Sequence, residues 1–158
     1  MVALLIVIVL FISAIIYLSK GSNFTPNEIS AISQLEQRNR VLFAHLKHAN
    51  DPAMDRLVHK YQTRSPKLTK SLEKAGYTIN KGDRIGVCLK DVNSELNSDI
   101  MDQLYFVVLH ELAHVCTVSW GHTPEFWENF RNLREHAIDA GVWKAIPDDS
   151  TICGERLT

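Results

Sequence analysis

The sequence predicts an α+β domain, rich in helix and carrying a small β-sheet or hairpin, behind one N-terminal transmembrane helix. Three observations carry this. Residues 2–18 form an almost unbroken apolar run, and later stretches open on helix-capping residues at Thr25, Asp51, Ser65, Ser98 and Thr123. Two β-prone segments, Tyr77 to Asn80 and Arg84 to Lys90, flank Lys81-Gly82-Asp83, which reads as a hairpin turn at Gly82.

Val2 to Leu18 contains Ser13 as its only polar, non-aromatic interruption. At about 1.5 Å per helical residue the run reaches roughly 26 Å, the short end of a membrane span. A cleaved signal peptide or a buried core helix are the alternatives. No Lys or Arg precedes the run, and only Ser19-Lys20-Gly21 resembles a cleavage context, so an uncleaved anchor over residues 1–20 is the expectation. Lys20, Arg38 and Arg40 follow it, which by the positive-inside rule makes a single-pass membrane protein with its folded part, residues 21–158, on the cytosolic side. Cys88, Cys116 and Cys153 are odd in number and suggest no disulfide framework; Cys116 reads as packing and Cys153 as an inert thiol.

Thr25-Pro26-Asn27-Glu28 reads as a capping box with proline in the first turn, opening a helix to about Lys47 with Ile29, Ile32, Leu42 and Leu46 on one stripe. Asp51-Pro52 opens a second helix carrying Leu57 and Tyr61. Ser65-Pro66 opens a third carrying Leu68, Leu72 and Ala75, closed by Gly76. Ser98 caps a helix to about Val118, with Asp99 and Asp102 near its positive end. Thr123-Pro124-Glu125 opens the last, with Phe126, Phe130, Leu133, Ala137 and Ala140 as a core stripe ended by Gly141; the tail from Trp143 reads as irregular.

Seventeen Lys and Arg against eighteen Asp and Glu give a formal net charge of -1, so no bulk attraction to nucleic acid follows. A local basic cluster, Lys60, Arg64, Lys67, Lys70 and Lys74, leaves nucleic acid or anionic lipid as a possible partner, although a solvated helix face explains it more simply.

The chemistry concentrates in His110-Glu111-Leu112-Ala113-His114. Two imidazoles four residues apart on a helix lie on one face and can reach one small cation, while Glu111 stands beside the site as an unligated carboxylate able to take a proton from bound water. Leu104, Val107, Val108, Leu109, Leu112, Val115 and Cys116 surround the motif with apolar side chains, so the helix reads as buried. Buried polar groups need a partner, and a metal ion supplies one. His122, after the turn-forming Gly121, is the leading third ligand; Glu125, Glu128 and Glu135 are alternatives.

His110-Glu-Leu-Ala-His114, Gly121-His122 and then Phe126-Trp127 together resemble the motif of the WLM and SprT-like zinc metallopeptidases, with Ile85 to Lys90 in the place of the strand before the active helix. The likeness covers roughly the last half of the chain, with its core at 77–142, and is nearest in style to small membrane-anchored members from large DNA viruses. The gap between the second and third His is longer than the family's usual one. The resemblance implies a zincin-like minimal domain in which one Zn²⁺ on His110, His114 and His122 activates water, and Glu111 serves as general base for hydrolysis of a protein or peptide substrate. It also implies a strand along the cleft able to pair with an extended substrate.

For the oxyanion donor, Tyr77, Tyr105, Arg131 and His136 all remain open. Two other functions stay in view. One is a membrane-bound structural-zinc or pseudoenzyme interaction module, which needs a fourth protein ligand such as Cys153 or Glu135. The other is a protease acting on DNA-associated or DNA-crosslinked proteins through Lys67, Lys70 and Lys74.

Overall fold

A computed structural model describes residues 24–64 and 67–157. Helix α1 spans Pro26–Leu46, α2 Pro52–Arg64, α3 Ser98–Cys116 and α4 Pro124–Asp139; strands β1 (Lys67–Ser71), β2 (Gly76–Ile79) and β3 (Arg84–Cys88) form one sheet, and β4 (Thr151–Ile152) pairs with β5 (Glu155–Arg156). The fold is α+β, as the sequence predicts. The expectation of a transmembrane helix, and with it a single-pass membrane location, is corrected: among the described residues no helix is long and apolar enough to cross a membrane. The segment on which that expectation rests, residues 2–18, lies outside the described residues.

Helix α3 is the axis of the domain. Met101, Leu104, Tyr105, Val108, Leu109 and Leu112 are at most 2% exposed, and the helix touches α1, α2, α4 and the sheet. Polar groups at its Tyr105 and Asp102 are tied to neighbouring elements. Tyr105 donates its hydroxyl to Asn39 Oδ1 at 3.1 Å. Asp102 accepts from Arg38 at 2.6 Å, and Trp143 Nε1 donates to the Asp102 carbonyl. Asn97 caps the helix by accepting from Ile100 N, so the cap falls one residue before the predicted Ser98.

The capping box of α1 forms as the sequence predicts: the Thr25 side chain accepts from Glu28 N, and the Glu28 carboxylate accepts from Thr25 N. The stripe is different. Ala31, Leu35, Leu42 and Leu46 face the core, and Ile29 is 57% exposed. Glu28 is instead drawn inward, fully buried, where Lys70 at 2.6 Å and Asn93 at 3.0 Å meet its Oε1.

The helix predicted from Ser65-Pro66 is overturned. Lys67 to Ser71 form a strand paired in parallel with β3, Leu68 opposite Ile85. Leu68, Leu72 and Ala75 have helical spacing, yet Leu72 is 69% exposed. Ser71 Oγ donates to Lys74 O and accepts from Lys74 N, a local turn that competes with helix. Gly76 then opens β2 rather than closing a helix. The hairpin of β2 and β3 is as predicted, antiparallel with Tyr77 opposite Gly86. In the sheet order β1-β3-β2, β3 is central and β2 is an edge.

The basic cluster is not one helical face. Lys67 and Lys70 lie on β1, Lys70 is paired with Glu28, and Lys60 donates to Val115 O from α2. The reading of three unpaired cysteines is also corrected. Cys88 at the end of β3 and Cys153 between β4 and β5 form a disulfide, which fastens the tail to the sheet, and Cys116 is the free, buried thiol. Spacing could not reveal this pair, because the fold brings together residues 65 apart.

Candidate metal centre

The last two turns of α3 carry His110, Glu111 and His114. The helix ends at Cys116 because Thr117 turns to extended backbone, its Oγ1 donating back to Ala113 O at 2.7 Å. The chain then reverses through Gly121, whose φ of 80° is a conformation open to glycine at little cost. His122 is thereby returned over the helix immediately before Thr123 caps α4.

Three imidazoles converge. His110 Nε2 and His122 Nε2 are 3.0 Å apart, and one nitrogen from each of His110, His114 and His122 lies within 4.8 Å of the others, so these residues can hold a metal ion. Phe126 forms the floor, its ring centroid 5.0, 4.3 and 4.7 Å from those of His110, His114 and His122. Trp127 stacks against His122 at 5.4 Å. The Phe-Trp pair of α4 thus fixes the ring planes.

The donor set fits a metal electrically as well as in shape. Burial, reinforced by the neighbouring rings, pushes His110 and His114 down to about 4, leaving neutral nitrogens available for coordination. Glu111 is 7% exposed. Burial raises its carboxyl to about 7 against the opposing charge of Lys74, which places it where a group can both take and give a proton near neutrality.

These groups border a cleft of about 390 Å³. Its walls are Gly76, Tyr77 and Thr78 of β2, the turn at Asn80-Lys81, and the loop from Ser119 to His122. Gly76 is a close-approach position: a Cβ there would meet Val107 Cγ1 at 2.4 Å and Glu111 Oε1 at 2.9 Å, so bare backbone lies directly on the Glu111 side chain. Strand β2 borders the cleft; of the segment Asn80 to Lys90, expected to lie along it, Asn80 and Lys81 do so, while β3 is enclosed between β1 and β2.

The alternative ligands are placed elsewhere. Glu125 accepts from Val118 N, Ser119 N and Ser119 Oγ, while Glu128 and Glu135 are outside the histidine cluster. Cys153 is in the disulfide, so the fourth ligand required by a closed structural site is not found among the described residues. Of the four oxyanion candidates, Tyr105 is buried on Asn39, His136 pairs with His45 at 3.3 Å, Arg131 is not a cleft residue, and Tyr77 borders the cleft. Gly76 and Lys81 escape a reading by motif. Their importance comes from what the fold lays against them, and no local pattern marks that.

No family model and no solved structure matches the chain. Three curated proteins of large DNA viruses do. Uncharacterized protein 136R of Invertebrate iridescent virus 6 is 31% identical over 122 residues, 75% of this chain and 67% of that protein. Uncharacterized protein R325 of Acanthamoeba polyphaga mimivirus is 35% identical over 81 residues, and uncharacterized protein 042R of Invertebrate iridescent virus 3 is 39% identical over 71. The matches span 41% and 43% of those two relatives, less than half of each.

Proposed function

The chain belongs to the family of protein 136R of Invertebrate iridescent virus 6, and from that premise we propose that it is a zinc-dependent metallopeptidase. The observation that carries the proposal is the convergence of three imidazoles beside one buried carboxylate at the wall of an open cleft. The likeness of His110-Glu111-Leu112-Ala113-His114, His122 and Phe126-Trp127 to the WLM and SprT-like motif supports the same reading.

Zn²⁺ held by His110, His114 and His122 would supply Lewis acidity to the substrate carbonyl and lower the pKa of water. Glu111 accepts the proton of the attacking water and returns it to the departing amine, a pair of transfers suited to a carboxyl raised to about 7. Its burial limits competing solvent contacts. Strand β2 offers its outer edge to the cleft, so an extended peptide can add to the sheet there, with main-chain hydrogen bonds supplying register. Tyr77 is the oxyanion donor best supported by its place at the cleft.

The test compares Glu111→Gln with the parent chain on a casein-type substrate, with zinc content measured in both. Retained zinc with hydrolysis lost is the expected result. Equal hydrolysis by the two proteins would remove Glu111 from the reaction, and a zinc-loaded parent without hydrolysis would favour a structural role.

A further inference from the structure

His122 is exposed and stands on the short segment between α3 and α4, so something other than burial must hold it opposite the two helical histidines. Lys81 lies across the cleft in the hairpin turn. Its Nζ donates to three successive carbonyls, Thr117 O at 2.7 Å, Val118 O at 2.7 Å and Ser119 O at 2.9 Å. These carbonyls follow the C-terminus of α3, where helix carbonyls lack partners and the dipole favours a cation.

Glu125 takes the other side of the same segment. It accepts from Val118 N and Ser119 N at 3.0 Å each and from Ser119 Oγ at 2.7 Å. The N–H groups therefore point to a carboxylate on α4 and the C=O groups to an ammonium on the hairpin. The same ammonium lies 4.7 Å from the ring centroid of Trp120, which is 79% exposed. Asn80 and Lys81 have φ of 48° and 51°, a left-handed pair that costs about 1 kcal/mol or more per residue outside glycine.

We propose that Lys81 is a positioning residue for the metal centre: opposite Glu125, it grips residues 117–119 and so fixes His122 against His110 and His114. This rests on the metal-binding reading of the three histidines, but its effect on the loop precedes metal binding. Lys81 itself is outside the histidine cluster and acts through the loop.

The test uses the full chain carrying Lys81→Met, which keeps the aliphatic stem and removes the ammonium. In the metal-free protein, amide exchange at Val118 and Ser119 is expected to accelerate at least ~10-fold, with Leu109 and Leu112 unchanged. Zinc affinity, read by chelator competition, is expected to fall by about 10–100-fold, the range for outer partners of metal ligands. Lys81→Cys alkylated to aminoethylcysteine should recover it. In a His122→Ala background, Lys81→Met should cost no further zinc affinity.

Exchange and affinity equal to the parent's would overturn the assignment, as would an equal loss in the His122→Ala background. A variant that fails to fold would overturn it too, since Lys81 would then hold the domain and not the loop. A parent chain that binds no zinc while Lys81→Met still loosens Val118 and Ser119 would sink the metal reading and leave only the loop brace.

Discussion

His110 and His122 face each other at 3.0 Å between their Nε2 atoms, although one sits on a buried helix and the other on an exposed loop twelve residues later. A neutral pair can share one proton there, but His114 completes a third corner with its ring centroid 4.9 Å from that of His122. A cluster of three acceptor-bearing rings is better satisfied by a cation than by hydrogen bonds among its members.

Removing one corner should therefore be decisive. His122→Ala is expected to lower zinc affinity by more than about 100-fold, exceeding the 10–100-fold typical of outer partners. Saturating zinc should raise the melting temperature of the parent and barely move that of the variant. Glu125→Gln should retain more zinc than His122→Ala, because Glu125 acts on the loop backbone; the reverse order in chelator competition would make Glu125 the ligand.

Gly76 is a position where backbone touches the proposed base. Gly76→Ala places a methyl group within 2.9 Å of Glu111 Oε1 and 2.4 Å of Val107 Cγ1. The expected cost is about 1–3 kcal/mol of stability from overpacking, together with a loss of hydrolysis larger than any loss of zinc affinity. Thermal melts and zinc titration on one preparation separate the two effects.

The disulfide between Cys88 and Cys153 closes a long loop. In the loop-entropy account, replacing both with serine should cost about 4 kcal/mol. Burial pushes the remaining Cys116 thiol up to about 12, so it should not react with a thiol reagent at pH 8 in the folded protein. Thiol titration should give none in the native chain, one after denaturation and three after denaturation with reduction.

Glu28 predicts acid sensitivity. Burial alone would raise its carboxyl, but the hydrogen bonds from Lys70, Thr25 N and Asn93 outweigh it and hold the group below its usual 4.5. A carboxyl lowered on folding stabilises the native state above the unfolded value, and that contribution disappears as pH falls from about 4.5 through the folded value. Glu28→Gln should cost about 1–3 kcal/mol near neutrality by leaving Lys70 without its carboxylate. Denaturant titrations from pH 7 to 3 should show a shallower acid decline in the variant than in the parent.

The histidine motif lies in the region that the sequence reads best. His110, Glu111 and His114 need only helical periodicity to share a face, and α3 supplies it. Thr25, Thr123 and Gly141 announced helix ends through side-chain and backbone preferences that act over a few residues. Leu68, Leu72 and Ala75 misled because a helical spacing is also met by a strand followed by a turn; pairing with β3, distant in sequence, settled the matter.

By itself, then, the sequence determined the α+β class, the capped helices, the hairpin at Gly82 and two histidines with a carboxylate on one apolar helix. These depend on contacts within a turn or two of chain. Tertiary structure decided which third residue joins them, which strand borders the cleft, and that Cys88 meets Cys153. It also brought Lys81 to the loop of His122 and turned Glu125 from possible ligand to loop anchor. Each of these is a meeting of segments that chain topology brings together, and a pairing across the fold leaves no periodicity in either partner.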